Sequence, residues 1–395
     1  MRAAYSFSFL LLYCVLAGCQ MPLLAQNEIS LYPIHLNNMW GYASAEGQVL
    51  IPTQYHDALP FQEGLARVRV GSLYGFIDTN ENEVIPIQYL HATPFIEGFA
   101  WLKDAKGYHL FNTAGEQLSF TGYEEAYPIR DGLFLVKHQG RYGFINAEGN
   151  IVIPFHYEQA EPFMNGLSAV RQDQRWGMID KQNRLIVDYE YDYLGIGREG
   201  PILVKFRGLY GYLSHNGLMN IGINYTLAEH FYEGRARVER HNRWGMIDTL
   251  GQEVVPLQYE ALISMSNGLA RVRKNYKWGY IDADGAVIIP INLHYGKEFS
   301  QGYAAVIRQA GQAYEFINKK GESITEAKYQ DVGLFRENRA KVKYKGRWGF
   351  IDQNGREVIP PIYEYVEDFV QGLAKVKYEG KTFYVDKMGN EFIIR

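Results

Sequence analysis

Trp244-Gly245-Met246-Ile247-Asp248-Thr249-Leu250-Gly251-Gln252-Glu253-Val254-Val255-Pro256-Leu257-Gln258-Tyr259-Glu260 returns in outline as Trp348-Gly349-Phe350-Ile351-Asp352-Gln353-Asn354-Gly355-Arg356-Glu357-Val358-Ile359-Pro360-Pro361-Ile362-Tyr363-Glu364. The aromatic–glycine pair at its head also occurs at Trp40-Gly41, Tyr74-Gly75, Tyr142-Gly143, Trp176-Gly177, Tyr210-Gly211 and Trp278-Gly279. From Trp40 to Trp278 the frame advances by 34 residues, with Tyr108 filling the third place. The next step, to Tyr314, is 36 residues, and the one to Trp348 is 34 again. A fixed period of this length marks a repeat architecture. Length alone would suggest two or three domains for 395 residues. An array grows without splitting its core, so residues 27–395 read as one array behind a targeting segment, residues 1–26.

One unit shows how the array is built. Leu65-Ala66-Arg67-Val68-Arg69-Val70 alternates small or apolar residues with arginine, the period-2 signature of a half-buried strand. After Gly71-Ser72-Leu73, the run Tyr74-Gly75-Phe76-Ile77-Asp78 is rich in strand formers. A polar turn follows; at the same place sister units carry Gly149, Gly251, Gly285 and Gly355, suited to the positive φ of a tight hairpin. Glu83-Val84-Ile85 reads as a third strand that Pro86 stops, and Ile87–Gly98 as a connector. The expected unit is therefore a three-stranded β-meander, in eleven copies. Units three, five, six and nine are degenerate, with Phe120-Thr121 and Asn220-Ile221 in place of the usual ending.

Three rows follow from the period. Tyr55, Tyr89, Tyr123, Tyr157, Tyr191, Tyr225, Tyr259, Tyr329 and Tyr363 form one. Phe61, Phe95, Phe163, Phe231, Phe299, Phe335 and Phe369 form a second, in the connector. The third is the apolar row of the first strand, from Val68 and Leu102 to Val342 and Val376. A unit this small cannot bury such a face alone, so neighbours must stack.

The unit Trp-Gly-Phe-Ile-Asp-x-x-Gly-x-x-Val-Ile-Pro-x-x-Tyr-Glu, nearly complete at Trp348–Glu364 and Trp244–Glu260, resembles that of the bacterial WG (KWG) repeat proteins. The resemblance covers roughly residues 31 to 394. It implies a β-rich, often exported or surface-anchored protein, and brings no catalytic residues with it. The expected fold is all-β, with the repeats stacked as an open twisted β-array. The alternative is a closed β-propeller-like ring, against which stand the count of eleven and the three strands per unit, since propellers use four to eight four-stranded blades.

The N-terminus reads as a targeting segment: Arg2, then an apolar run from Phe7 to Ala17 too short for an ordinary membrane-spanning helix. It ends in Leu16-Ala17-Gly18-Cys19, which resembles a bacterial lipobox and makes Cys19 the expected lipidation site. Cleavage after Ala25, giving a secreted chain, is the alternative. Cys14 and Cys19 are the only cysteines, so the repeats hold no disulfide and no thiol ligand.

Composition narrows the partner. Charged residues make up 21% of the chain and the net charge is −4, without the basic excess that nucleic acid demands. The motif-like stretches have repeat explanations. Gly195-Ile196-Gly197-Arg198-Glu199-Gly200 matches a dinucleotide fingerprint but falls in a connector, with no helix expected after it. Asp282-Ala283-Asp284-Gly285 lacks EF-hand spacing and sits at the hairpin turn. The ten histidines occupy assorted phases of the unit, with no zincin spacing. No catalytic residue, cofactor or metal is expected.

What remains is surface. Arg69, Lys103, Lys137, Arg171, Lys205, Arg273, Lys343 and Lys377 share one strand position, a basic stripe suited to an anionic polymer such as an acidic envelope glycan. Glu63, Glu97, Asp131, Glu199, Glu233 and Glu337 form an acidic row, and the plainer reading is that the two rows are solvated and partly compensate. The aromatic–glycine row has two readings as well: a core row whose glycine admits a neighbouring strand, or a sugar-stacking platform. The functional expectation is a non-enzymatic binding or scaffold protein of the bacterial envelope, exported and lipid-anchored. Its partner would be a protein, with Leu194–Gly200 and Gln309–Gln312 as candidate contacts. The alternative is a polysaccharide-binding module using the basic stripe and the aromatics.

Overall fold

The computed structural model describes residues 31–36, 38–44, 48–119, 122–370 and 372–392. The expected targeting segment, residues 1–26 with Cys19, and the pair Phe120-Thr121 lie outside the described residues. Among the described residues the chain forms eleven antiparallel sheets and no helix. In the second sheet strand a is Asp57–Ala58, strand b Leu65–Val70, strand c Leu73–Asp78 and strand d Glu83–Tyr89, hydrogen-bonded in the order a-b-c-d. Strands b and c are the pair that the alternation announces, with Val68 opposite Gly75 and Arg69 opposite Tyr74.

Three expectations change. The unit has a fourth strand, because part of the connector becomes strand a of the next sheet: His91–Ala92 follows directly on Tyr89. Two residues are too few to show an alternation. Pro86 does not stop strand d, which runs through it to Tyr89. Strand d is the edge of its sheet and Pro86 is exposed there, so its missing N–H costs no ladder bond. Four-stranded meanders are the sheet type of propeller blades, so the sheets fit the closed β-propeller-like alternative and lend no support to the open twisted β-array.

The degenerate units divide. The third and ninth sheets keep three strands, and strand d shrinks to the bridges Tyr108–Tyr123 and Phe111–Gln117, and Tyr314–Tyr329 and Ile317–Ser323. The fifth and sixth have full fourth strands, Leu185–Tyr191 and Met219–Tyr225.

The chain divides into two compact units. The first runs to Ile129 and adds Val136–Gln139 and Ile145–Ile151; the second takes Arg130–Leu135, Gly140–Phe144 and everything from Val152. Within each, the core lies between consecutive sheets, as the small unit requires. In the first unit, Phe76, Ile85 and Tyr89 of one sheet pack on Ala100, Leu102 and Phe111 of the next. In the second, Tyr212, Ile221 and Tyr225 pack on Ala236, Val238 and Ile247. Where it is present, the connector Phe packs on a ring of the preceding sheet: Phe95 on Phe76 at 4.7 Å and Phe299 on Tyr280 at 5.0 Å between centroids. Such aromatic pairs add about 0.5–1.5 kcal/mol each beyond the area they bury.

Candidate binding surface

The aromatic–glycine pair is explained by strand d. Opposite Gly75 that strand bulges: Tyr74 faces Tyr89 and Phe76 faces Ile85, so two residues of strand c span four of strand d. The bulge presses backbone onto the glycine. A Cβ on Gly75 would stand 2.6 Å from the Ile85 carbonyl oxygen, and one on Gly279 would stand 2.8 Å from that of Ile289. The glycine thus admits the neighbouring strand. Its aromatic partner is half-buried throughout, at Trp40, Tyr74, Trp176, Tyr210, Trp244, Trp278 and Trp348. The Tyr row behind it is core. Burial raises the phenols of Tyr55, Tyr191, Tyr225 and Tyr259 above the ordinary tyrosine value, so these rings stay neutral.

The basic stripe and the aromatic row are one feature. Strand b sets Arg69 opposite Tyr74, Lys103 opposite Tyr108, Arg171 opposite Trp176, Lys205 opposite Tyr210, Arg273 opposite Trp278 and Lys343 opposite Trp348. The cation lies over the ring at 5.0 Å for Lys103, 4.9 Å for Lys205, 5.6 Å for Arg273 and 5.7 Å for Lys343, within cation–π range. Some members of the stripe are engaged elsewhere. Lys137 pairs with Glu125 at 2.8 Å, Arg273 also with Glu260 at 3.2 Å, and Lys377 with Glu364 at 3.9 Å, while Arg171 donates to Gln159 at 2.8 Å. Lys377 faces Thr382 instead of an aromatic residue, and in the seventh sheet Glu239 faces Trp244.

The acidic row is not beside the basic one. Glu63 and Gly64 form the tight turn between strands a and b, both with positive φ, at the end of strand b away from Arg69. Leu65 and Arg69 are four residues apart, roughly 13 Å along the strand. Three of the six acidic side chains are used between sheets. Glu63 accepts the Gly98 N–H at 2.7 Å, Asp131 that of Gly166 at 2.6 Å and Glu337 that of Gly372 at 2.9 Å. Where the row carries an amide, Asn267 does the same for Gly302 at 2.8 Å. The row is a ladder joining successive turns, and the expected compensation between the two rows is corrected accordingly.

A second set of seam contacts escaped the sequence reading. Arg67, two residues before the stripe, donates to the Ala92 carbonyl of the next sheet at 2.9 Å. Arg237 reaches the Leu262 carbonyl and Arg271 that of Gly296 in the same way, and Trp101 donates its indole N–H to Tyr127 at 3.0 Å. The spacing between donor and acceptor, 25 residues for the arginines and 26 for Trp101, was a weak signal, because Arg, Trp, Leu, Ala and Lys share the position.

The other motifs resolve as structure. The Asp282 carboxylate accepts the N–H groups of Asp284 and Ala286 at 3.0 and 2.9 Å, closing the hairpin turn. Gly195 ends a strand, Tyr193–Gly195, with no helix after it among the described residues. Among the described residues no group of three or more His, Cys, Asp or Glu is placed to hold a metal ion.

Comparison with solved structures gives distant likenesses. A eukaryotic initiation factor structure aligns at 11% identity and TM-score 0.41, over 75% of this chain and 95% of its own. The extracellular domain of a hybrid two-component system protein from B. thetaiotaomicron aligns at 9% identity and TM-score 0.23, over 94% and 63%. PorZ, a surface component of the type-IX secretion system of Porphyromonas gingivalis, aligns at 8% and 0.25, over 92% and 58%. At such values these likenesses assign no function. No curated protein matches the sequence. The family profile described as "WG containing repeat" matches residues 40–74, 74–107, 142–176, 176–210, 210–244, 244–278, 278–308, 316–348 and 348–381. With most of its length matched and its aromatic–glycine pairs explained by one recurring bulge, this chain belongs to the WG-repeat family.

Proposed function

We propose that this protein acts without catalysis, as an exported binding protein of the bacterial cell envelope that holds an anionic polysaccharide along its cation–aromatic stripe. The observation that carries the reading is the recurring cross-strand pair of a cation and a half-buried ring, from Arg69 and Tyr74 to Lys343 and Trp348. A sugar ring offers an apolar face to the aromatic side chain, and its carboxylate finds the cation. The test is retention of polygalacturonate and alginate, with neutral dextran as control, by residues 27–395 and by the triple variant R171S/R273S/K343S. Wild type is expected to retain the acidic polymers and to release them as salt rises. Unchanged retention by the variant would sink the proposal. Attachment through Cys19 belongs to the same reading, and C19A is expected to leave the membrane fraction.

A protein partner is the second reading. Leu218, Met219 and Leu250 are 66%, 50% and 71% exposed, and Asn220 ties their two sheets together by donating to the Thr249 carbonyl at 2.9 Å. Exposed apolar side chains gathered in this way favour a contact surface. A crosslinker at position 250 that traps one defined protein in cells, but none when L218S and M219S are added, would support it.

A further inference from the structure

The seam between the sixth and seventh sheets carries a cleft of about 500 Å³, lined by Tyr193, Leu203, Tyr210, Ala228, Glu229 and His230. Its size lies within the range of small-ligand sites. The sixth sheet supplies Tyr193 from strand a, Leu203 from strand b and Tyr210 from strand c. The seventh supplies Ala228, the end of its strand a, and the two residues after it.

Two departures from the repeat open the cleft. At the seam position held by Arg67, Arg237 and Arg271, the sixth sheet has Leu203, which cannot span to the next sheet. Leu135, Ala169 and Ala305 share that lack of a donor, but only here does the following loop place a histidine beside the gap. His230 stands at a position that is proline in four sister loops (Pro60, Pro94, Pro128 and Pro162) and Ile196, Ser264, Glu298, Leu334 or Asp368 in the others, so the histidine is particular to this seam. Its ring lies on a glycine bed: a Cβ on Gly195 would stand 2.8 Å from His230 Cε1, and one on Gly197 would stand 3.2 Å from Nδ1. The glycines that resemble a dinucleotide fingerprint thus make room for an imidazole.

The cleft is held in shape before any ligand arrives. The Tyr212 hydroxyl donates to the Glu229 carbonyl at 2.7 Å, and Phe231 packs on Tyr212 at 5.0 Å. Arg237 Nε donates to the Glu229 carboxylate at 2.8 Å. Tyr193 Oη and His230 Nε2 approach to 3.4 Å, and Tyr193 remains 38% exposed. Lys205 stands over Tyr210. Two phenol rings and a leucine make an apolar wall, and a hydroxyl, an imidazole and a carboxylate are fixed at its edge. An apolar side chain would make no use of that polar edge. A pyranose ring has an apolar face and a rim of hydroxyls, and it matches both.

We propose that this cleft is a saccharide-binding site that seats one pyranose ring, stacked on the tyrosines with its hydroxyls toward His230 and Glu229. It deepens the polysaccharide reading, on which it rests for its biological ligand, by giving the stripe one shaped seat.

The experiment is saturation-transfer NMR of methyl glucoside, methyl galactoside and methyl mannoside with the full mature chain. The key variant is L203R, whose guanidinium can reach the Ala228 carbonyl just as Arg67, Arg237 and Arg271 reach theirs, filling the cleft while closing the seam. Y193A, at an exposed ring, is the second variant. At least one glycoside is expected to receive saturation from wild type, to lose most of it with L203R and Y193A, and to keep it with R171S/R273S/K343S. No transfer to any glycoside from wild type, or equal transfer from wild type and L203R, overturns the site. Because the probes are neutral, the two readings separate. Glycoside binding without retention of acidic polymers leaves the cleft standing and removes the stripe. Polymer retention without glycoside binding does the reverse.

Discussion

Gly75 runs so close beneath the Ile85 carbonyl that a Cβ on it would stand 2.6 Å from that oxygen. The neighbouring Gly71 has φ of 59° and nothing within 4 Å of its would-be Cβ. The two glycines are therefore required for different reasons, close approach and backbone conformation. G75A must push apart two strands of a sheet packed on both faces, an overpacking cost of about 1–3 kcal/mol. G71A carries only the left-handed penalty of about 1–2 kcal/mol, without disturbing the packing. Hydrogen exchange should show G75A loosening the amides of strand d, Glu83–Tyr89, while G71A leaves them protected. Equal exchange in strand d for both variants would refute the close-approach account.

Much of this was readable in the sequence, and what was not has a physical reason. Strands b and c announce themselves because one face meets core and the other a half-exposed surface, as Val68 and Arg69 show. Strand a escaped notice because it pairs only two residues, Asp57 with Arg69 and Ala58 with Val68. Pro86 misled because its rule applies to central strands, and edge position is a property of the sheet order. The cation–aromatic stripe was visible as two rows, but only the register of Arg69 on Tyr74 makes them one. The cleft between the sixth and seventh sheets was hidden because its signal, Leu203 at a seam position that elsewhere carries arginine and His230 in the following loop, falls at two positions where the repeat varies.

The turn ladder makes its own prediction. The Glu63 carboxylate accepts the Gly98 N–H across a seam, and both residues are near solvent. E63A removes the acceptor, and E63Q keeps a carbonyl oxygen in its place. Exchange of the Gly98 amide should quicken by up to about tenfold in E63A, the equivalent of about 1.4 kcal/mol, and change little in E63Q. Quickening in both variants to the same degree would mean that charge, rather than the hydrogen bond, holds the turns together.

Arg271 should be a stability determinant of the seam between the eighth and ninth sheets. Its guanidinium lies 4.5 Å from the Trp278 ring centroid and 5.6 Å from that of Tyr295, and it donates to the Gly296 carbonyl. R271M keeps the aliphatic packing but loses the donor and the cation–π contacts, a loss of about 1–3 kcal/mol. The midpoint of thermal unfolding should fall, with exchange rising first in peptides covering Ala270–Lys274 and Tyr303–Ile307. R271K should recover part of the loss, since an ammonium can still sit over Trp278. A midpoint unchanged in R271M would show that the seam is held by its apolar core alone.

Acid should weaken the fold in two separate steps. Partial loss of hydration holds His91 below the ordinary histidine value, with help from the Arg67 and Lys103 cations. Loss of hydration does the same for His230, with Glu229 partly opposing it. The folded chain therefore binds fewer protons at these sites than the unfolded chain once pH falls below about 6.5. Their contribution to stability is present above that value and is lost as pH falls through the lower, folded one. The turn carboxylates act further down. Hydrogen bonds from Asn82 and Asn390 hold Asp78 and Asp386 below the usual carboxylate value, so that their share is lost only as pH falls below about 3.9. The thermal midpoint should thus begin to decline as pH falls below about 6.5, ahead of the carboxylates. H91Q/H230Q should flatten that first decline without altering the second. If the double variant keeps the first decline in full, the first step belongs to other groups.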